Sequence, residues 1–518
     1  MTRSILPRPQ SALAPLARAL TVAVAILGLS VSPLVAAAPT TAPDDQAMFG
    51  AGWHRNMTST ATGLATEWDI EEGTNIRWSQ PVGSQSYAGP VLMDGILVVG
   101  TNNEGVRNGE LTGDRGNVMA FQADDGTYLW QIVHSKLPET KLHDWPLQGV
   151  CSTPVIEGDR LWYVSNRAEV VSADLKGLAD GNEGTIKNEL DQSATGGDIL
   201  WSFDMMSELD VFPHNLATSS PLVIGDLVYI STGNGVDEGH INVPSPLAPS
   251  FLALNKNTGE LVWENADPGE EILHGTWTNP TYAVVQGAAM VIFPGGDGWL
   301  RAFEPKTGEV IWKFDTNPKD SVWRLGGAGT RNNLIGNAVV YDDKVYIGVG
   351  QDPEHGEGPG HFYAIDATKR GDITTSGLVW TRGGEDFNRT ISTAAIHDDI
   401  VYITDLSGFL YALDAQTGEH YWTYDAFAAV WGSPFYADGK VYLGDEDGDI
   451  AVLKAGKKLE VLAENNMGSA VYTTPIAHDG TIYILARNRL FAIEEGASEA
   501  AEPAEAPTEA AAEAKADR

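Results

Sequence analysis

The residue types best suited to holding a metal ion crowd into one short stretch, Asp352-Pro-Glu354-His355-Gly-Glu357-Gly-Pro-Gly-His361. Carboxylates and imidazoles at this density suit calcium through oxygen or a transition metal through nitrogen, with Asp352, His355 and Glu357 as the candidate ligands. The spacing matches no standard ligand pattern, so a solvated acidic loop kept flexible by its glycines competes with the metal reading and is favoured. A second stretch, Asp445-Glu-Asp447-Gly-Asp449, imitates the start of a calcium loop. Its glycine comes too early, and Gly456 stands where the terminal glutamate belongs, which excludes an EF-hand and leaves a tight inter-strand turn. Gly295-Gly-Asp-Gly298 and Gly326-Gly-Ala-Gly329 lack the strand-to-helix setting of a phosphate loop and read as turns. No Ser-His-Asp or Gly-x-Ser-x-Gly arrangement occurs in a usable setting. Arg324, Arg331 and Arg389 lie in two connections between successive repeat units, on the same face as the acidic loops, where each calls for a carboxylate partner or, less favoured, an anionic ligand.

The chain as a whole is acidic. Its 518 residues carry 33 basic and 70 acidic side chains, a net charge of −37. Such a surface repels nucleic acid and anionic lipid and favours cations, cationic peptides or neutral ligands. Cys151 is the only cysteine, so neither an internal disulfide nor a Cys-rich metal site can form.

Arg3, Arg8 and Arg18 precede an apolar run from Ala19 to Leu34, and Val35-Ala36-Ala37 follows as a small-residue cleavage pattern. This predicts a signal peptide over residues 1–37, and with it a periplasmic or secreted protein with no membrane span after cleavage. A retained membrane anchor is the competing reading. A leader is expected over 38–74, and a disordered Ala/Glu-rich tail over 496–518.

Between them, over 75–495, the chain repeats itself. Trp78, Trp130, Trp201, Trp263, Trp312, Trp380 and Trp422 each close a strand, as in Ala253-Leu-Asn-Lys-Asn-Thr-Gly-Glu-Leu-Val-Trp263. Each copy is an apolar strand, a turn (Thr-Gly in the clearest copies) and a second strand ending in the indole. Eight openings precede these units, among them Ser152-Thr-Pro154, Ser219-Ser-Pro221, Thr278-Asn-Pro280 and Thr473-Thr-Pro475. The pattern predicts an all-β, eight-bladed propeller of four-stranded blades. The last blade ends after three strands, and Asn75-Ile-Arg-Trp78 stands alone, so the N-terminal strand is expected to close the ring. The seventh blade has Leu462 in place of the tryptophan. At a strict repeat period the indoles read as inter-blade packing rather than ligand cages.

The motif Ala-x-Asp/Asn-x-x-Thr-Gly-x-x-x-Trp around eight blades resembles the tryptophan-docking repeat of the pyrroloquinoline-quinone (PQQ) repeat, or quinoprotein-like, family over about Asn75 to Glu494. That family includes periplasmic quinoprotein alcohol dehydrogenases, which hold PQQ and calcium at the propeller mouth. It also includes non-catalytic members such as the lipoprotein of the outer-membrane β-barrel assembly machine. The resemblance implies calcium ligands at Glu169 and at Asn234 of Thr232-Gly-Asn234, with Arg331 available to a quinone carboxylate. Two catalytic features of the family are absent. Pro268-Gly-Glu-Glu-Ile-Leu-His274 has no Asp where the base belongs, although Glu271 or His274 offer substitutes, and Ser152 follows Cys151 where a cysteine pair is expected.

The polar loops gather on one face, which argues for a binding site at the mouth. The leading expectation is an exported binding or assembly scaffold of the cell envelope without catalysis. Its partner would be an envelope protein or a small molecule at the propeller mouth, and it would not bind nucleic acid. A PQQ- and calcium-dependent dehydrogenase, degenerate at the catalytic Asp, is the rival. A carbohydrate- or peptide-binding propeller is a third reading.

Overall fold

The structure, a computed structural model, describes residues 46–498 except 51, 139 and 351–357. The signal-peptide segment, the Asp352, His355 and Glu357 cluster and the tail beyond residue 498 therefore lie outside the described residues. No described helix is long and apolar enough to cross a membrane.

Eight antiparallel sheets follow one another, each with its four main strands in the order expected of a propeller blade. The β-branched and aromatic runs make the second strands: Ile400–Thr404, Lys440–Gly444 and Thr481–Leu485 are buried along almost their whole length between neighbouring blades. Strands covered on both faces read as continuous apolar runs. Two-residue turns such as Asp438-Gly439 and Asp479-Gly480 join first to second strands, with both residues at positive φ, the type I′ geometry that matches strand twist.

The tryptophan repeat is an inter-blade lock. Trp263 Nε1 donates to Pro305 O at 2.8 Å, Trp380 Nε1 to Ala415 O at 2.9 Å and Trp422 Nε1 to Gly456 O at 2.8 Å, each on the next blade. The Thr-Gly glycine has a second task beyond its positive φ. A Cβ on Gly259 would sit 2.7 Å from Trp201 Cε3, so only glycine lets the indole lie against the turn. The fifth blade departs from the pattern at this turn. There a longer connection adds the short strand Gly371–Asp372 in parallel beside Trp312, making the fourth sheet five-stranded.

Ring closure follows the sequence expectation. Thr74–Pro81 pairs antiparallel with Arg489–Ser498, which runs past the expected boundary at residue 495. The N-terminal segment also brings its own turn: Asp69 Oδ1 accepts from Glu71 N and Glu72 N, as Asp414 Oδ1 accepts from Gln416 N and Thr417 N in the sixth blade.

Upstream of that turn, the stretch expected to be a mere leader is a structural part of the ring. Backbone and side-chain atoms of Gln46 to Ser59 bond to the innermost strands of all eight blades, or to the residues just before them. Gln46 O accepts from Leu92 N, Ala47 O from Ile156 N, Trp53 O from Tyr282 N and His54 O from Val340 N. Asn56 exchanges two bonds with Ile396, Met57 O accepts from Tyr436 N, and Ser59 Oγ donates to Ala477 O. Arg55, fully buried, donates to Ser220 O, Pro221 O and Pro280 O as well as to Phe49 O. The segment is a plug across the propeller axis.

Candidate functional site

Above the plug lies an axial cavity of about 460 Å³ with Phe49 of the plug in its lining. Its wall is built from the blade openings. The middle residue of each opening lines the cavity, and in every blade but the eighth its backbone or amide nitrogen bonds the side chain of the equivalent residue in the next blade. Gly89 N donates to Thr153 Oγ1, Thr153 N to Ser220 Oγ, Ser220 N to Asn279 Oδ1 and Asn279 N to Asn337 Oδ1. Asn337 Nδ2, Thr393 N and Ser433 N continue to Thr393 Oγ1, Ser433 Oγ and Thr474 Oγ1. This belt runs from Gly89 round to Thr474, where glycine, having no side chain, offers no further acceptor. The Ser/Thr/Asn recurrence in the openings is therefore a ring of hydrogen bonds around the axis.

Aromatic residues line the cavity further along. Tyr87 stacks on Tyr472 with centroids 5.0 Å apart and planes 14° apart, and Trp431 meets Tyr472 at 5.4 Å. Trp145 and Trp277 also line it, as do Cys151 and His274. Burial pushes the Cys151 thiol up to about 12, with Lys136 and Asp144 as opposing lesser influences. Burial likewise raises Tyr87 to about 12.

The residues expected at a calcium–quinone centre take separate partners. Glu169 accepts from Ser165 Oγ at 3.0 Å and from Arg167 Nε at 3.1 Å, in a shallow pocket beside His134. His134 Nδ1 lies 3.9 Å from Glu169, but burial, aided by the Arg167 charge, lowers its pKa to about 3; we read the contact as neutral rather than an ion pair. Asn234 is fully buried, with Oδ1 accepting from Phe212 N at 3.0 Å and Nδ2 donating to Ser245 O at 2.9 Å. Glu169 and Asn234 are thus each held by hydrogen bonds within their own blade connections. Arg331 grips Asp315 through both terminal nitrogens, at 2.7 and 3.1 Å, and donates to Asp297 O. Arg324 is exposed, and the Arg389 backbone N–H donates to Gly358 O.

Many acidic loop residues serve their own turns. Asp445 Oδ1 accepts from Asp447 N and Asp449 N, and Asp405 accepts from Phe409 N, Asn388 Nδ2 and Tyr411 OH. Asp297 is paired to Arg301 at 2.6 and 3.0 Å in a buried, bidentate contact. Burial alone would lower the Arg301 pKa, but the Asp297 charge and hydrogen bonds outweigh it and raise it. Of the substitute bases, Glu271 is exposed, while its carbonyl accepts from Trp323 Nε1.

His274 has a different setting. It is buried with His214, and His240 completes a cluster whose Nε2 atoms lie 2.8, 3.0 and 3.2 Å apart. The three come from the connection into the third blade, that blade's long second-to-third-strand loop and the connection into the fourth. No sequence spacing announces them, since the fold alone joins these loops.

The model of the family described as outer membrane protein assembly factor BamB matches residues 44–177, 114–376 and 296–512, which together span nearly the whole chain. A curated relative, tetrathionate hydrolase of Acidithiobacillus ferrooxidans, is 24% identical over 350 residues, covering 56% of this chain and 66% of its own. The dehydrogenase subunit of a quinone alcohol dehydrogenase from Gluconacetobacter polyoxogenes is 27% identical over 282 residues, covering 44% of this chain and 36% of its own. The chain thus matches about two thirds of the first relative and about a third of the second. The solved quinohemoprotein alcohol dehydrogenase of Comamonas testosteroni superposes with a TM-score of 0.61 at 12% identity, covering 89% of this chain and 82% of its own, a likeness of fold.

Proposed function

The chain belongs to the PQQ-repeat family of the outer membrane protein assembly factor BamB, and from that footing we propose that it is an exported binding scaffold of the cell envelope, working through its axial cavity. The observation that carries this reading is the cavity itself: about 460 Å³, plugged by the chain's own Gln46–Ser59 segment and walled by aromatic rings above a belt of hydroxyls and carboxamides. That volume and that mix of apolar surface with a few fixed polar groups suit a small organic ligand. Aromatic faces and paired hydroxyl partners suit a neutral ring such as a sugar, and the net charge of −37 disfavours an anion. The periplasm or the cell exterior is the compartment this reading requires, supported by the Arg3-to-Ala37 pattern.

Similarity to a quinone alcohol dehydrogenase subunit supports a quinoprotein reading, but Glu169, Asn234 and Arg331 are each committed to other partners. One experiment separates the two. The purified protein is titrated with mono- and disaccharides, and separately with PQQ plus calcium, while tryptophan fluorescence and dye-linked ethanol oxidation are followed. A saturable fluorescence change with a saccharide, weakened in Trp431→Ala at an unchanged melting midpoint, is expected, with no dye-linked turnover. Turnover that disappears in Glu169→Gln would establish a dehydrogenase instead.

A further inference from the structure

The geometry points to a transition-metal site formed by His214, His240 and His274, distinct from the calcium site expected by family resemblance. We propose that these imidazoles bind one divalent first-row ion of the zinc or copper kind through their Nε2 atoms. The inference does not depend on what occupies the axial cavity.

The first argument is convergence. The three Nε2 atoms form a triangle with sides of 2.8, 3.0 and 3.2 Å, although their residues come from three separate connections. Metal–imidazole bonds of about 2.0–2.1 Å place neighbouring ligand nitrogens about 2.9–3.4 Å apart in octahedral or tetrahedral geometry. The observed triangle has that size. Each ring nitrogen is either an N–H donor or a lone-pair acceptor, never both, so hydrogen bonds alone cannot satisfy all three sides of this triangle. A single cation at the focus satisfies all three nitrogens at once.

The second argument is tautomer control. His214 Nδ1 lies 2.8 Å from Val236 O, and a carbonyl only accepts, so Nδ1 carries the proton and neutral His214 presents a lone pair at Nε2. A backbone carbonyl behind the imidazole is the usual support of a metal-bound histidine.

The third argument is preorganisation. Val236 N donates to His274 O, and Trp277 Nε1 donates to His214 O and Leu216 O while its ring packs on His274 at 4.9 Å. Asn234 ties Phe212, two residues before His214, to Ser245 on the loop that carries His240. His240 itself sits at φ +52°, a left-handed conformation unusual for a side chain of this kind, and its N–H bonds Asp237 O. The residue that family resemblance offers as a calcium ligand is here a positioning residue for histidines.

Donor chemistry selects the ion. Three nitrogens without a thiolate suit zinc, copper or nickel and not calcium, which takes oxygen. Three protein ligands leave at least one coordination position for water or another donor. Because His274 also lines the axial cavity, the site adjoins the space a ligand would occupy.

The test uses the full protein stripped with chelator, then titrated calorimetrically with zinc chloride and, separately, copper sulfate. One ion per chain is expected, with a higher melting midpoint, because an ion that binds only the folded state stabilises it. His240→Gln, on a partly exposed loop, is expected to keep the apo melting midpoint and to lower affinity by about tenfold or more. His214→Ala should do the same if it folds, and His397→Ala, outside the cluster, should leave metal affinity unchanged. Copper bound to the wild type should show nitrogen hyperfine structure in its electron paramagnetic resonance spectrum. Failure of both ions to bind overturns the site, as does binding that survives unchanged in folded His240→Gln.

Discussion

At the scale of single residues, several carboxylates of this protein hold their own turns. Asp445 illustrates the cost. Burial raises its pKa to about 6, more than the backbone N–H groups of Asp449, Asp447 and Gly448 lower it. A carboxyl whose folded pKa lies above its unfolded value near 3.9 binds its proton more tightly in the native state. The stability it contributes is therefore present at acid pH and is lost as the pH rises from about 4 through 6. Asp445→Asn keeps Oδ1 as the acceptor for Asp447 N and Asp449 N but removes the charge. The variant should melt above the wild type at pH 7, and the difference should vanish by pH 4 in thermal scans. A difference that persists at pH 4 would mean that the charge is not its source. Residue type alone did mark Asp445 as a turn former. It could not reveal the partners of Arg331 or the meeting of His214, His240 and His274, because those depend on loops that the ring brings together from separate connections.

At the scale of elements, the repeat was legible because the same physics recurs in each blade: alternating apolar strands, a turn and an indole that docks on the next turn. The blade openings were equally visible as a pattern, but their purpose was not. Thr153, Ser220, Asn279, Asn337, Thr393, Ser433 and Thr474 are chosen for side chains that accept across a blade boundary, or in one case from a neighbouring carboxamide, a role that exists only once the blades are arranged around an axis. Removing a link should be costly. Asn279→Ala leaves Ser220 N without its partner in a buried place, a loss of about 1–3 kcal/mol in urea denaturation. Adding the missing link should help. A Cβ at Gly89 would lie 3.5 Å from Thr153 Oγ1 and 3.8 Å from Thr474 O, in ordinary contact, and its φ is not in the left-handed region. Gly89→Ser should therefore be tolerated and stabilise by up to about 1 kcal/mol, from a new hydroxyl contact and a stiffer unfolded chain. A clear loss of stability in Gly89→Ser would show that the gap in the belt is required.

At the scale of the whole molecule, the N-terminal part of the chain closes the ring twice, once around the circumference and once across the axis. The first closure was readable, because Asn75 to Trp78 is a repeat fragment without a blade and the last blade lacks a strand. The second was not, because Gln46 to Ser59 carries no repeat motif and about half of its bonds to the blades come from backbone atoms, which sequence does not distinguish. The two closures should fail differently. Removing the chain through Asn56 leaves the eighth blade complete but strips carbonyl partners from Leu92, Ile156, Tyr282 and Val340, and removes the Arg55 fan that ties the third blade to the fourth. Each unmade buried bond costs about 1 kcal/mol or more, so this truncation should melt earlier than the intact protein while keeping its β-sheet circular dichroism. It should also open the axial cavity from the plugged end, and tryptophans lining it should become more accessible to acrylamide quenching. Removing the chain through Gln80 takes away the closing strand as well and leaves Arg489–Ser498 as a bare edge, the arrangement most prone to aggregation. That truncation should fail to give a soluble monomer. If the shorter truncation melted with the intact protein and its tryptophans were quenched no faster, the plug would be an attachment to a ring already complete, and the cavity would owe nothing to it.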